Sequence, residues 1–136
     1  MASLFEYAVL KVVPRPERGE AINAGVVLYS PESGFLDARV HLDAERLRAI
    51  DPDVDADAVR GQLGAILVAC RGGAEAGGIG ELSPRQRFGR LAAPRSTIVQ
   101  PSPIHTGFSD DPEATLEHLM RVMVHPPDGD DRTNLQ

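Results

Sequence analysis

One stretch, residues 18–29, constrains this fold more than any other, because it reads as a buried β-strand that holds two residues such strands normally exclude. A charged turn leads into a run of small and branched apolar residues, and Asn23 and Gly25 interrupt that run. An amide left without a partner in a buried strand costs about 1–3 kcal/mol, so Asn23 is expected to bond to a loop backbone, to Glu20 or to a ligand. A glycine in mid-strand predicts a bulge, or a close approach by another backbone, a packed helix or a ligand.

Strict alternation along this strand predicts which side chains share a face. One face would carry Ile22, Ala24, Val26 and Leu28, and the other Asn23, Gly25, Val27 and Tyr29. Two more strands flank it: residues 5–13 are apolar at nearly every position and are broken by Lys11, and residues 35–40 alternate between apolar and charged. Three strands joined by short turns most simply form an antiparallel meander.

Helical signals fill most of the remaining chain. Helices are predicted from the capping residues and apolar stripes of residues 43–50, 55–70, 83–91 and 110–124. A Gly/Ala-rich run over 71–80 is expected to be a flexible loop, and short strands are predicted at 97–100 and at 104–108, the latter at an edge. The fold class is therefore α+β, with a mostly antiparallel sheet of about five strands and three to four helices packed on it.

The composition is that of one globular domain. The chain has 136 residues, of which 42% are hydrophobic and 25% charged, so it can bury a core without disulfides. We expect a single domain over residues 1–125 and a disordered polar tail over 126–136. A formal net charge of −6 makes nucleic acid an unlikely partner. With one cysteine and no apolar run that could cross a bilayer, no membrane contact and a cytoplasmic location are expected.

Familiar catalytic and cofactor motifs are absent from the sequence, so no catalytic residue, cofactor or metal is predicted. There is no glycine-rich phosphate loop, no paired Cys/His spacing typical of zinc, and no Gly-x-Ser-x-Gly elbow. The four histidines are too scattered along the chain to indicate a metal site.

Polar residues in two distant segments form one candidate ligand site. Arg95 and Ser96 follow a proline where a strand begins, so that a guanidinium and a hydroxyl can face one anion. We hypothesise that they meet the charged turn before Asn23 in a cleft for a phosphate- or carboxylate-bearing ligand. The candidate anion cleft comprises Arg18, Glu20, Asn23, Arg95, Ser96, Gln100 and His105. The structural alternative, in which Asn23 stitches the turn to a neighbour and Arg95 pairs with Glu20 or another carboxylate, stays open.

Three segments resemble a bacterial family. They are residues 7–14 (YAVLKVVP), 18–29 (RGEAINAGVVLY) and 94–102 (PRSTIVQPS). The chain resembles domain-of-unknown-function (DUF) family 3037, small proteins without an established activity, from about Phe5 to Val124, with Ala24 where the family has valine. Because members are often encoded beside a HipA-like kinase, the resemblance implies an accessory or partner role.

Two functions of different classes follow as predictions. The leading one is a non-catalytic binding or accessory module that partners a larger enzyme, such as a HipA-like kinase. The alternative is a small transferase or hydrolase acting on a phosphate- or carboxylate-bearing substrate, in which Arg18 and Arg95 bind the anion and Glu20 or His105 serves as acid or base. A homodimer built across an exposed sheet edge is a third hypothesis.

Overall fold

The structure, a computed structural model, describes residues 1–126 and has the predicted α+β class. The strands are β1 (Ser3–Val12), β2 (Ile22–Ser30), β3 (Phe35–Val40), β4 (Val99–Pro101) and β5 (His105–Ser109). The helices are α1 (Ala44–Ile50), α2 (Ala56–Arg71), α3 (Pro84–Leu91) and α4 (Pro112–Met123), with 3₁₀ turns over Ala74–Glu81. The run predicted as a flexible loop is therefore mostly 3₁₀ turns. The predicted tail lies outside the described residues except for Pro126.

One antiparallel sheet contains all five strands. Its order is β3-β2-β1, and the far side of β1 is shared by β4, which pairs with the end of β1, and β5, which pairs with its beginning. The predicted meander of the first three strands is confirmed. The sheet accordingly has two edges, one formed by β3 and the other by β4 followed by β5.

Helices cover the two faces of the sheet unequally. On one face, α1, α2 and α3 bury a large aliphatic core, to which Leu47, Leu63 and Phe88 contribute. On the other face α4 is the one helix within residues 1–126, and it packs Leu116 and Met120 against β2 and β3. The helices begin where the caps predict, because the carboxylate or hydroxyl of the residue before each one accepts a first-turn backbone N–H. Part of the sheet beside α4 is left without a helix.

A β-bulge makes the predicted face assignment of β2 wrong. Leu10 lies opposite Gly25 and Lys11 opposite Asn23, so Ala24 is an extra residue on β2. An extra residue shifts the side-chain alternation by one position. Ile22 and Ala24 therefore share the α1–α3 core with Val27 and Tyr29, whereas Val26 and Leu28 pack under α4.

The break between β4 and β5 is bridged by one serine. Proline on either side of Ser102 removes backbone donors, and the buried Ser102 takes over the pairing with β1. Its backbone N–H donates to the Val9 carbonyl at 2.8 Å, and its hydroxyl oxygen accepts the Val9 N–H at 2.9 Å. The two short strands thus continue along the same side of β1.

Candidate functional site

In the charged turn of the candidate cleft, the two charged residues pair with each other. Arg18 and Glu20 lie in the exposed β1–β2 turn, and the Arg18 guanidinium donates to the Glu20 carboxylate at 2.5 Å. That hydrogen bond, followed by the charge of Glu20, raises the pKa of Arg18. Gly19 permits the turn because its φ is +70°. Both groups stay at the surface, and each already has a partner.

The Asn23 side chain is hydrogen-bonded to the backbone of α4. Its side-chain amide donates to the carbonyl oxygen of Met123, the last residue of α4, at 3.0 Å. The last carbonyls of a helix lack intrahelical donors, so the bond satisfies both groups. Asn23 therefore has the structural role that the sequence left open, and α4 is the neighbour to which it bonds.

Gly25 is required by a close approach between strands. A Cβ atom placed on it would lie 2.7 Å from the carbonyl oxygen of Arg39 on β3 and 3.1 Å from the Leu10 side chain. The first contact is shorter than real Cβ atoms make and involves backbone that cannot swing away, and the second is tight. The mid-strand glycine therefore lies beside the bulge and allows the close approach of β3.

Arg95 lies on the opposite side of the sheet from Asn23. Its guanidinium donates to the carbonyl oxygen of Arg90 at 2.5 Å. It also borders an open hollow of about 290 Å³ between α2, α3 and β4, where Gln62 and Thr97 are the other polar residues. This hollow includes none of Arg18, Glu20 and Asn23, and the neighbouring Ser96 is exposed.

Gln100 and His105 share the α4 side of the sheet with Asn23. Lys11 on β1 lies directly opposite Asn23 on one side and Gln100 on the other, forming a row of three polar residues across the sheet. Directly opposite residues of antiparallel strands point to the same face. His105 lies opposite Tyr7, and their ring centroids are 5.4 Å apart.

These observations define a surface that we call the open face. It is the part of the sheet beside α4 that no helix covers. Its half-buried or exposed side chains are Tyr7, Lys11, Gln100 and His105, and the buried Val9 lies between Tyr7 and Lys11 on the same face. The sequence analysis placed Gln100 and His105 in the candidate site but missed Tyr7 and Lys11. The available signal was Lys11 itself, the one basic residue in a largely apolar strand.

Two further features were not foreseen. The His41 and His125 rings come within 4.8 Å of each other near the end of α4, although within residues 1–126 no three His, Cys, Asp or Glu side chains are grouped to hold a metal. A groove of about 560 Å³ follows the outer edge of β3. Cys70 lies behind this strand, and burial, aided by Asp37, raises the pKa of its thiol to about 12. A thiol with that pKa is not a nucleophile at neutral pH.

Comparison with known proteins gives a family and no close relative of known activity. A family model described as "Protein of unknown function (DUF3037)" matches residues 7–124, most of the chain. The search of curated proteins and the search of solved structures each gave no significant match. No helix of the described residues is long and apolar enough to cross a membrane.

Proposed function

The chain belongs to the DUF3037 family, and from that premise we propose that it is a non-catalytic accessory module that binds a larger enzyme through the open face. The observation that carries this proposal is the uneven cover of the sheet. Within residues 1–126, three helices cover the α1–α3 side, whereas α4 lies over β2 and β3. On the α4 side Phe5 and Tyr7 of β1 pack at the margin of its cluster, and β4 and β5 have no helix packed on them. A folded domain that leaves part of a sheet uncovered has a surface free for a partner.

The chemistry of the open face suits a protein better than a small ligand. Tyr7 and His105 present two rings side by side, and Lys11 adds a cation that lies directly opposite Asn23 on one neighbouring strand and Gln100 on the other. Aromatic residues flanked by polar groups are typical of protein interfaces. Because strands position all four side chains, the surface is rigid before the partner arrives, which lowers the cost of binding.

The proposed partner is a kinase-like enzyme that presents a carboxylate to Lys11. This chain carries a net charge of −6, so a cation placed among neutral groups is the complementary feature that an acidic side chain would meet. The family resemblance to proteins encoded beside a HipA-like kinase makes that enzyme the first partner to test.

Charge reversal on the open face tests the proposal. We expect Lys11→Glu to weaken the complex with the co-expressed HipA-like kinase at least about tenfold, since it places like charges opposite each other. Arg60→Glu on the exposed surface of α2 is the matched control, and it should leave affinity unchanged. Isothermal titration measures both, after thermal melts show that both variants are folded. Equal affinities for the two variants and the wild type would contradict the proposal.

A second function is favoured by the hollow beside Arg95. Its apolar walls and its arginine fit a ligand with an anionic group, as in the alternative of a small enzyme acting on a phosphate- or carboxylate-bearing substrate. Inorganic phosphate and acetate are the probes. We expect Arg95→Ala to abolish any shift they cause in the amide spectra of Thr97 and Gln62, whereas Arg46→Ala on α1 should preserve it. If neither anion shifts these amides in the wild type, the hollow does not bind anions.

A further inference from the structure

We propose that β5 pairs with the β5 strand of a second copy of this chain, antiparallel and with a two-fold axis at Gly107, so that two sheets join into one. This goes beyond the proposed accessory role, because it concerns the outer edge of the sheet rather than its open face. Four features of that edge carry the inference: its free backbone groups, its exposed apolar side chains, its self-complementary register and its lack of charge.

The outward backbone groups of β5 belong to Thr106 and Phe108. On β1 the N–H and C=O of Val9 point to the β4–β5 side, as their bonds to Ser102 show. Hydrogen bonding alternates along an antiparallel strand, so Phe5 and Tyr7 point the same way and bond to Gly107 and His105. The residues between them then direct their N–H and C=O groups away from the sheet. No side chain of the described residues bonds to these groups.

The β3 edge shows what a blocked edge looks like in the same molecule. The Asp37 carboxylate accepts the outward N–H of Ala38 at 2.8 Å, and the Arg39 guanidinium donates to the outward carbonyl oxygen of Ala38 at 3.3 Å. Charged residues at edge strands prevent pairing with another chain. Since β5 has no such pair, the molecule protects one edge and leaves the other ready for a strand.

Exposed apolar residues gather at the same edge. Phe108 is 74% exposed, and Leu4, directly opposite it on β1, is 41% exposed. The other large exposed apolar residues within the described part of the chain are Ile104, directly before β5, Met1, two residues before β1, and Val122 on α4. An apolar cross-strand pair at an open edge is the surface that a second sheet would cover.

With a two-fold axis at Gly107, each outward backbone N–H and C=O group of Thr106 and Phe108 makes one hydrogen bond to the other copy. This axis places Thr106 of each copy opposite Phe108 of the other, so the two outward residues of each strand form two doubly hydrogen-bonded pairs. The two Gly107 residues meet in the close, unbonded position between them. Because the axis is perpendicular to the sheet, both Leu4–Phe108 pairs lie on one face, with the two phenylalanines on a diagonal within reach of each other.

The charge distribution favours a second copy at this edge. Each chain carries a net charge of −6, so two copies repel least where the strands that meet carry no charge, even though Glu6 on β1 lies opposite Thr106. Strand β5 contains no Asp, Glu, Lys or Arg. The same register brings His105 of each copy beside Ser109 of the other, so no two charged side chains of β5 face each other.

The first test is the mass in solution. Light scattering over roughly a hundredfold range of concentration should show the mass doubling from monomer to dimer. Thr106→Pro removes an outward N–H that the monomer does not use, and Phe108→Asp places a charge on an exposed side chain, so both variants should fold normally and stay monomeric. Val122→Asp, on the exposed surface of α4, is the matched control and should dimerise like the wild type.

The second test determines the register of the two β5 strands by cross-linking. Two variants, Thr106→Cys and Phe108→Cys, are prepared separately and then mixed. A short bifunctional thiol reagent should cross-link the mixture at least about fivefold more than either variant alone, because positions 106 and 108 lie opposite each other in this register. Cys70 does not compete because it is 3% exposed. A monomer at all concentrations, a dimer that survives both edge variants, or β5 pairing only with another protein would each overturn the proposal.

Discussion

The sheet has two outer edges, and the two differ in how their free backbone groups are satisfied. Along β3, Asp37 and Arg39 fold back on the strand and bond to both outward groups of Ala38. Arg39 also reaches Asp37 and, at 3.4 Å, Glu113 on α4, which ties this edge to the helix above it. Along β5 the outward groups of Thr106 and Phe108 have no such partners among residues 1–126, and the phenylalanine ring is 74% exposed.

The difference teaches that the charges of an edge strand can act on the strand's own backbone. In the sequence, residues 35–40 alternate between apolar and charged, which is the pattern of any half-exposed strand. In the structure, two of those charged residues, Asp37 and Arg39, block the β3 edge by bonding to its outward backbone groups. Strand β5 lacks charges of this kind, and its exposure is therefore a property of its composition as much as of its position.

The largest expected effect comes from the glycine that lets β3 lie against β2. Gly25→Ala would place a Cβ atom 2.7 Å from the carbonyl oxygen of Arg39, which belongs to the backbone of the blocked edge. We expect the free energy of unfolding to fall by about 1–3 kcal/mol, because a packed strand must move. Urea denaturation followed by circular dichroism measures it. An unchanged midpoint would show that β3 can shift freely and is not a fixed edge.

The bulge at this glycine is also where the prediction of side-chain faces from the sequence fails. The five strands, the α2 stripe and the helix caps follow from local patterns, and the interruptions at Asn23 and Gly25 correctly indicated something irregular in β2. The face of Val26 and Leu28 was wrong because strict alternation assumes that no residue is extra. One residue of bulge moved both side chains from the predicted face to the other.

The candidate site was predicted less completely because it depends on strand order. The residue types were reasonable, but the neighbours of Lys11 are known only once β1 is seen to lie between β2 and β4. That order put Gln100 in one row with Asn23 and left Arg95 on the opposite side, beside α2. Local patterns carry no information about which distant strands become neighbours.

A smaller effect is expected where α4 is tied to the β3 half of the sheet. Asn23→Ala removes the amide that bonds to the Met123 carbonyl, and we expect the free energy of unfolding to fall by about 1 kcal/mol. Gln100→Ala is the matched control, because it lies in the same cross-strand row and its side chain makes no hydrogen bond within residues 1–126. The control should change stability by less than about 0.5 kcal/mol. Equal losses in the two variants would show that the bond to α4 is not what stabilises this row.

Gly107, on the other edge, should tolerate an added methyl group better than Gly25. A Cβ atom there would lie 2.6 Å from the far end of the Phe5 ring rather than from a backbone atom, and a ring can turn away. We expect Gly107→Ala to cost less than about 1 kcal/mol in thermal unfolding at a concentration where the protein is monomeric. A loss as large as that of Gly25→Ala would mean that the β5 edge is packed as rigidly as β3.

The smallest effect on stability should accompany the clearest change in assembly. Asp37→Ala combined with Arg39→Ala removes both caps from Ala38, and because these side chains are partly exposed the free energy of unfolding should fall by less than about 1 kcal/mol. The uncapped β3 edge can then pair with another copy, so light scattering should show masses above that of the wild type. The matched control combines Asp57→Ala with Arg60→Ala, an exposed ion pair on α2 away from both edges, and should leave the mass unchanged.

A third substitution separates the two edges in this uncapped protein. With both edges open, copies can join end to end without limit, so the assemblies should grow with concentration. Adding Thr106→Pro closes β5 and leaves only β3 free, and growth should then stop at a dimer. Continued growth would show that the assemblies do not form through these edges, and an uncapped protein with wild-type mass would show that Asp37 and Arg39 are not what keeps β3 from pairing.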